Sequence, residues 1–196
     1  MSWEKLLRRE AWVISLVGRN SELHKNTGVL LLENKVLVSD STLKGQLVEK
    51  GFGENKGHEL VLDLFEAIHL VEKEKIIVLD ERGKRVGQKK LFLLGLEGDN
   101  RFYSKLMVYE DLRRKGYCIK TGLKFGFDFR VYPRGKKMGE DHTKFVIHVA
   151  PESEKLTMHQ LSRMTRLAGN IHTTSVIAVI DSEDSINYYS MERVLF

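Results

Sequence analysis

Hydrophobic and polar positions alternate along this chain in two distinct rhythms. Gly28-Val29-Leu30-Leu31-Leu32 and Lys35-Val36-Leu37-Val38 flank the polar pair Glu33-Asn34. Two β-rich runs around a tight polar turn predict a hairpin. Asp40-Ser41 offers an N-cap for a short helix ending near Gly51. Over residues 59–72, apolar side chains recur at positions 60, 61, 64, 65, 68 and 71, one face of a helix. Residues 76–79 read as a strand, Gly83 as a turn and residues 86–96 as a helix. Together these predict a small α+β domain over residues 1–98, ending near Gly98-Asp99.

The second half, residues 99–196, repeats the mixture in a different order. Residues 101–115 read as a helix with Leu106, Tyr109 and Leu112 on one face and Gly116 as its stop signal. Strand-like runs follow at 117–121, 127–132 and 144–149. A second helix over 157–170 carries Leu161, Met164 and Ala168 on one side, and two more strands, 175–181 and 186–194, come last. The expected class is therefore α/β (α+β): a small mixed N-terminal domain, then a C-terminal domain with a mixed sheet flanked by helices.

Composition narrows the partners. The 196 residues are 42% hydrophobic and 30% charged, a balance expected of a soluble protein able to bury a core. No apolar run is long enough to cross a bilayer, and Met1-Ser2-Trp3-Glu4-Lys5 lacks the apolar core of a signal peptide. An intracellular, cytoplasmic protein is expected. The net charge of +5 and pI near 9.2 favour a polyanionic partner, although many basic proteins bind no nucleic acid. Two prolines and abundant Lys and Glu are compatible with a thermophile. Cys118, the one cysteine, rules out an internal disulfide and reads as a core thiol.

Two motifs are set aside. Gly51-x-Gly53-x-x-x-Gly57 has the wrong spacing for a dinucleotide fingerprint or a P-loop and reads as a flexible turn between helices. His58 and His69 fall on one expected helix but three turns apart, too far for one ion, so neither a metal nor another cofactor is expected.

The chemistry concentrates in residues 127–145. A strand of alternating large residues ends at Tyr132-Pro133, a basic loop follows with Arg134, Lys136 and Lys137, and His142 stands at the mouth of the next strand. Tyr132 and His142 thus flank one loop attractive to phosphate. Such a pair suits RNA cleavage: a base takes the proton of a 2′-hydroxyl, the oxygen attacks the adjacent phosphorus, and an acid protonates the departing 5′-oxygen. Histidine suits the acid, and tyrosine acts as a base only with cations nearby. Spacing alone favours a half-buried packing tyrosine and a surface loop histidine over this pair. Within this half, His148 is expected to be packed or at an interface and His159 solvated. Arg163 and Arg166 share a helix face, either solvated or clamping a base or phosphate. Residues 181–185 form an acidic turn able to dock into a partner's basic groove.

The run Val108-Tyr109-Glu110-Asp111-Leu112-Arg113-Arg114-Lys115-Gly116-Tyr117 precedes Lys120-Thr121-Gly122-Leu123-Lys124-Phe125-Gly126-Phe127-Asp128-Phe129-Arg130-Val131-Tyr132. This pattern resembles the core signature of the archaeal tRNA-splicing endonucleases. The likeness continues through His142, Phe145, Val149 and Arg166-Leu167-Ala168 to the last strand pair. The resemblance implies a metal-independent endoribonuclease that cuts precursor tRNA at bulge-helix-bulge junctions. Its products would carry 2′,3′-cyclic phosphate and 5′-hydroxyl ends. It implies Tyr132 as general base, His142 as general acid, and Arg166 and Arg193 as a clamp on a bulged base. It also implies a dimer of dimers, in which final strands bearing Tyr188 and Tyr189 pair between subunits. The acidic loop with Asp181, Glu183 and Asp184 would enter a partner's basic pocket.

One position departs from the family pattern. The third catalytic residue of the family is a lysine before the penultimate strand, where this chain reads His172-Thr173-Thr174. By register Thr173 takes the lysine's place, and an uncharged side chain cannot stabilise the phosphorane. Loss of such a group costs about 10²–10³-fold in rate, by analogy with removing an oxyanion donor. Three accounts are open: a lysine removed by engineering or recently lost, a natural non-catalytic subunit supporting a catalytic partner in a heteromer, or another cation such as Lys144 or Lys136 in its stead. Beside cleavage by a homo-oligomer stand two further function classes, that structural RNA-binding subunit and a basic RNA-binding module with no role in cleavage.

Overall fold

Alternation sets the first hairpin. In a computed structural model, which describes residues 28–122, 126–135 and 142–194, β1 (Gly28–Leu32) pairs antiparallel with β2 (Lys35–Val38). Glu33 turns the chain with φ of 51°. Val29, Leu31, Val36 and Val38 fall on one face and are buried. Asp40 caps α1 (Ser41–Glu49), accepting the Leu43 N–H at 2.7 Å, and the helix buries Leu43 and Leu47.

Residues 59–72 differ from the single helix expected. They divide into β4 (Glu59–Asp63) and α2 (Leu64–Glu72). Leu60 and Leu62 are fully buried and alternate with partly exposed Val61, whereas Ala67, Ile68 and Leu70 are buried along α2. Apolar positions at 60, 61, 64, 65 and 68 satisfy either period, so pairing decides. β4 has a partner on each side, β2 with Val38 opposite Leu60, and β3 (Glu54–Lys56). Asp63 ends the strand, its N–H donating to the Glu66 carboxylate at 3.0 Å in the manner of a helix start.

The stretch from Gly51 to Gly57 is thus not a loose turn between helices, because it contains β3 and leads into the β3–β4 turn. Gly53 has φ of 69°, and its N–H donates to the buried Glu66 carboxylate at 2.9 Å. His58 sits in the β3–β4 turn and His69 on α2, stacked on Phe52 with centroids 5.8 Å apart, so the two histidines do not share a helix. Among the described residues, no group of three or more His, Cys, Asp or Glu is arranged to hold a metal ion.

β5 (Ile77–Leu79) runs parallel to β1, and β6 (Arg85–Val86) pairs with β5. The first sheet has the order β3-β4-β2-β1-β5-β6. α2 packs against β2, β4 and β5 and against α3 (Gln88–Gly98). The described residues form two compact units, the first running to Tyr103 and the second starting at Ser104. The change falls inside α4 (Phe102–Arg114), whose Phe102 and Tyr103 pack on Phe92 in the first unit.

In the second unit, β7 (Cys118–Thr121), β8 (Phe129–Tyr132), β9 (Phe145–Pro151), β10 (Thr174–Ile180) and β11 (Ile186–Met191) form one mixed sheet, ordered β11-β10-β9-β8-β7. Only β9 and β10 are parallel, as the intervening helix α5 (Met158–Asn170) requires. One sheet face is nearly all apolar: Ile119, Phe129, Val131, Ile147, Val176 and Ala178 are buried, and Tyr109 of α4 packs on Phe129. On the other face Met164 and Ala168 of α5 close over Phe127 and Val146. Thr157 caps α5, accepting the Gln160 N–H at 3.2 Å while the Gln160 side chain accepts the Thr157 N–H at 2.8 Å. Among the described residues, no helix is long and apolar enough to cross a membrane.

Gly53→Ala and Gly57→Ala separate strain from packing. Both glycines have positive φ, but a Cβ at 57 meets open space, whereas one at 53 falls 2.5 Å from Leu60 Cγ. Gly57→Ala is expected to lower unfolding free energy by about 1–2 kcal/mol. Gly53→Ala is expected to add about 1–3 kcal/mol more from overpacking. Urea unfolding of the two variants checks the difference, and equal losses would contradict the packing account.

Candidate active site

Strand register gathers the candidate residues. Arg130 lies opposite Val146 and Val131 opposite Phe145, where the pairing of β8 with β9 ends one residue before Tyr132. On the other side of β9, Thr174 lies opposite Phe145, and Thr173 is the residue immediately before that pair. The Lys144 N–H donates to the Val131 carbonyl at 2.8 Å, and the Lys144 carbonyl accepts the Thr174 N–H at 3.3 Å. The C-terminal end of β8 and the starts of β9 and β10 therefore meet at one end of the sheet. His142 is two residues before Lys144, on that same end.

Alternation also sets the face. Tyr132, Val146 and Ser175 belong to the side covered by α5. Tyr132 is 4% exposed, with Cys118 as its strand partner on β7, while His142 and Lys144 are exposed. The Lys144 Nζ rests 5.2 Å from the centroid of its neighbour Phe145. Thr173 is partly exposed, but its Oγ1 is buried and has no hydrogen-bond partner among the described residues. Ser175, two residues on and fully buried, has a similarly unpartnered Oγ.

The remaining candidates divide. Arg134 is exposed, its guanidinium carbon 5.1 Å from the ring centroid of Tyr117. Lys136 and Lys137 lie outside the described residues. Arg163 and Arg166 are exposed on α5, one turn apart. α5 ends at Asn170 only four residues before β10 begins, so its C-terminal turn lies at the Thr173 end of the sheet. Met191 of β11 pairs with Ser175, which brings exposed Arg193 toward that end as well. His159 is exposed.

The acidic turn is built rather than loose. The Asp181 Oδ1 accepts the N–H groups of Glu183 at 2.9 Å and Ser185 at 2.8 Å, and Asp184 has φ of 64°. This turn is at the opposite sheet end from Tyr132. The two tyrosines of β11 point to opposite faces. Tyr189 is 57% exposed, whereas Tyr188 turns inward and donates its hydroxyl to the Asp111 carboxylate of α4 at 2.7 Å. Lys115 donates to the same carboxylate at 2.6 Å and sits 4.9 Å from the Tyr188 ring centroid. Burial works to raise the Asp111 pKa, but hydrogen bonds from Lys115 and Tyr188 and the charges of Lys115 and Arg114 outweigh it and hold the carboxyl below its usual range. Burial, then the bond to Asp111 and its charge, raises the Tyr188 phenol far above its usual range, so it remains a donor.

A second polar group was not legible from spacing. Lys105 of α4 pairs with Asp128 at 2.7 Å, both side chains under a tenth exposed. Asp128 also accepts the Val149 N–H at 2.8 Å and lies 3.4 Å from His148 Nδ1, and His148 Nε2 lies 2.9 Å from Glu154. His148 is packed, as its place in a strand predicts. Asp128 precedes β8 while Tyr132 ends it, so this network stands at the far end of the sheet from the candidate site. Tyr117 and Asp111 were also missed as partners. The Lys115-Gly116-Tyr117 helix stop was their only local signal.

Comparisons with known proteins cover both units. The family model described as tRNA intron endonuclease, N-terminal domain, matches residues 28–92, and that described as tRNA intron endonuclease, catalytic C-terminal domain, matches residues 102–188. The tRNA-splicing endonuclease of Thermococcus onnurineus is 40% identical over 145 residues, covering 74% of this chain and 82% of the relative. That of Pyrococcus abyssi is 39% identical over 147 residues, 75% of this chain and 84% of the relative. That of Methanococcus vannielii is 31% identical over 161 residues, 82% of this chain and 90% of the relative.

The Asp111–Tyr188 contact gives a pH-dependent prediction. A carboxyl whose folded-state pKa is lowered contributes stability that is fully present above its unfolded value, about 4, and is lost as pH falls through the folded value. Tyr188→Phe removes one hydrogen bond to that carboxylate and is expected to cost about 1.5 kcal/mol at pH 7. The difference from the parent should shrink at pH 3. Urea unfolding at both pH values measures it, and a loss independent of pH would assign the effect to packing instead.

Proposed function

This chain belongs to the tRNA-splicing endonuclease family, and on that premise we propose that it is a subunit of an endoribonuclease that cuts precursor tRNA at bulge-helix-bulge junctions without metal. The observation that carries this reading is the register of β8, β9 and β10, in which Tyr132, His142 and position 173 share one end of one sheet beside the basic turn of Arg134.

Tyr132 acts as general base on the 2′-hydroxyl of the nucleotide before the cut. The freed oxygen attacks the adjacent phosphorus, and the bond to the 5′-oxygen breaks as His142 delivers a proton to it. The products are a 2′,3′-cyclic phosphate and a 5′-hydroxyl. Arg166 and Arg193 hold an unpaired base, and Arg134, Lys136 and Lys137 attract the backbone. The charge developing on the phosphorane lacks its cation at Thr173. Lys144, whose peptide groups join the end of β8 to the start of β10, is the cation that supplies it, by leaving the Phe145 ring. Subunits associate through the outer edge of β11, where Tyr189 is exposed, and through the turn of Asp181, Glu183 and Asp184. Tyr188 instead fastens that strand to α4 of its own chain.

A second reading is a non-catalytic subunit that binds RNA and supports a catalytic partner. Its support is Thr173 itself, uncharged and with its hydroxyl enclosed.

Cleavage of a bulge-helix-bulge RNA in the presence of a chelator, comparing the parent with Thr173→Lys, separates the two. If the first reading holds with a missing cation, the lysine variant gains about 10²–10³-fold in rate, and His142→Ala in that background removes the gain. Equal cutting by both chains assigns the charge to another cation, with Lys144→Ala then expected to abolish it. Cutting by neither supports the second reading. In a separate measurement, Asp184→Lys should reduce the assembled species seen by light scattering. Unchanged assembly would remove the acidic turn from the interface.

A further inference from the structure

Tyr117 has no part in the chemistry above, yet the fold holds it with unusual care. α4 ends in Arg113-Arg114, Lys115 follows, and Gly116 with φ of 83° reverses the chain shortly before β7. The Tyr117 N–H donates to the Leu112 carbonyl at 3.1 Å, and its own carbonyl accepts from Arg113 Nη1 at 3.3 Å. The ring is thus carried on backbone fixed at both its N–H and its carbonyl. It is half-buried, and exposed Arg134 lies over it at 5.1 Å. The next residue, Cys118, is the strand partner of Tyr132, so Tyr117 and Arg134 stand at the neighbouring ends of β7 and β8, the sheet end at which Tyr132 lies.

From these contacts we propose that Tyr117 and Arg134 form a stacking platform for an unpaired nucleobase of the RNA, flanking the nucleotide that is cut. The proposal rests on the functional reading above and extends it to a contact outside the clamp of Arg166 and Arg193. An aromatic ring and a guanidinium both recognise the π-face of a base, which only an unstacked nucleotide presents. A fixed ring loses little freedom on binding, and the surrounding Arg113, Arg114 and Lys115 favour the adjoining phosphates. A base on this platform belongs to single-stranded RNA at the junction and is held with little preference among the four bases.

The test uses the full chain and a junction RNA made uncleavable by a 2′-deoxy nucleotide at the cut, with 2-aminopurine at each unpaired position in turn. Stacking should quench the probe at one position. Tyr117→Leu should abolish that quench and weaken binding about 5- to 150-fold, while Tyr117→Phe keeps both. Arg134→Lys preserves charge but not the flat guanidinium, so it should keep the salt dependence of binding and lose part of the quench. Should Tyr117→Leu unfold, the Arg134→Lys measurement decides alone. A folded Tyr117→Leu with unchanged quench and affinity overturns the platform, as does an Arg134→Lys variant identical to the parent. If the parent binds junction RNA no better than plain duplex, the functional reading falls and the platform with it. Junction preference without any quench sinks the platform only.

Discussion

The peptide groups of Lys144 join three strands at one point. Its N–H reaches the end of β8 and its carbonyl receives the start of β10, at 2.8 and 3.3 Å. Because side chains alternate along a strand, a slip of one residue in the pairing of β9 with β8 or with β10 would turn Tyr132 or Ser175 to the opposite face. The apolar face guards against that slip. Phe129, Val131, Ile147 and Val176 are all buried, and any slip would carry them out of the core. A register enforced by hydrophobic burial on one side of the sheet thus sets the geometry of polar residues on the other.

That second face tolerates what a pure core would not. Ser175 is fully buried with an unpartnered hydroxyl, and Thr173 has its oxygen enclosed in the same condition, where each unmet hydrogen bond costs about 1–3 kcal/mol. Both lie at the start of β10, where the candidate site is. The ends of the unit are held by polar fastenings instead: Lys105 with Asp128 at the far end of β8, and Tyr188 with Asp111 on the outermost strand. Losing one partner of such a pair leaves a buried polar group alone, which is why the edge strand stays fixed to α4.

Elements whose signals are local were legible in the sequence. The Glu33-Asn34 hairpin, the Asp40 cap and the Gly116 stop each depend on a few adjacent residues, and the structure has them where the pattern predicts. Residues 59–72 misled because Leu60, Val61, Leu64, Phe65 and Ile68 fit a period of 3.6 as well as a strand followed by a helix. Only the pairing of β4 with β2 and β3 distinguishes them. The same ambiguity hid β3, whose Glu54-Asn55-Lys56 has no apolar alternation to reveal it.

The sequence by itself therefore determined the elements with local signals, the mixture of strands and helices in each half, and the residue types of the candidate chemistry. Those are properties of short windows, set by periodicity, caps and turn residues. Tertiary structure alone decided which residues share an end and a face: that Lys144 joins Val131 at the end of β8 to Thr174 at the start of β10, that Arg134 finds Tyr117, and that Tyr188 turns to Asp111 while Tyr189 faces outward. Each of these joins positions 17 or more residues apart in the chain, except the Val131–Lys144 bond, whose residues are 13 apart. Such contacts are fixed by strand register, and register is chosen by the burial of the whole sheet rather than by any one of its strands.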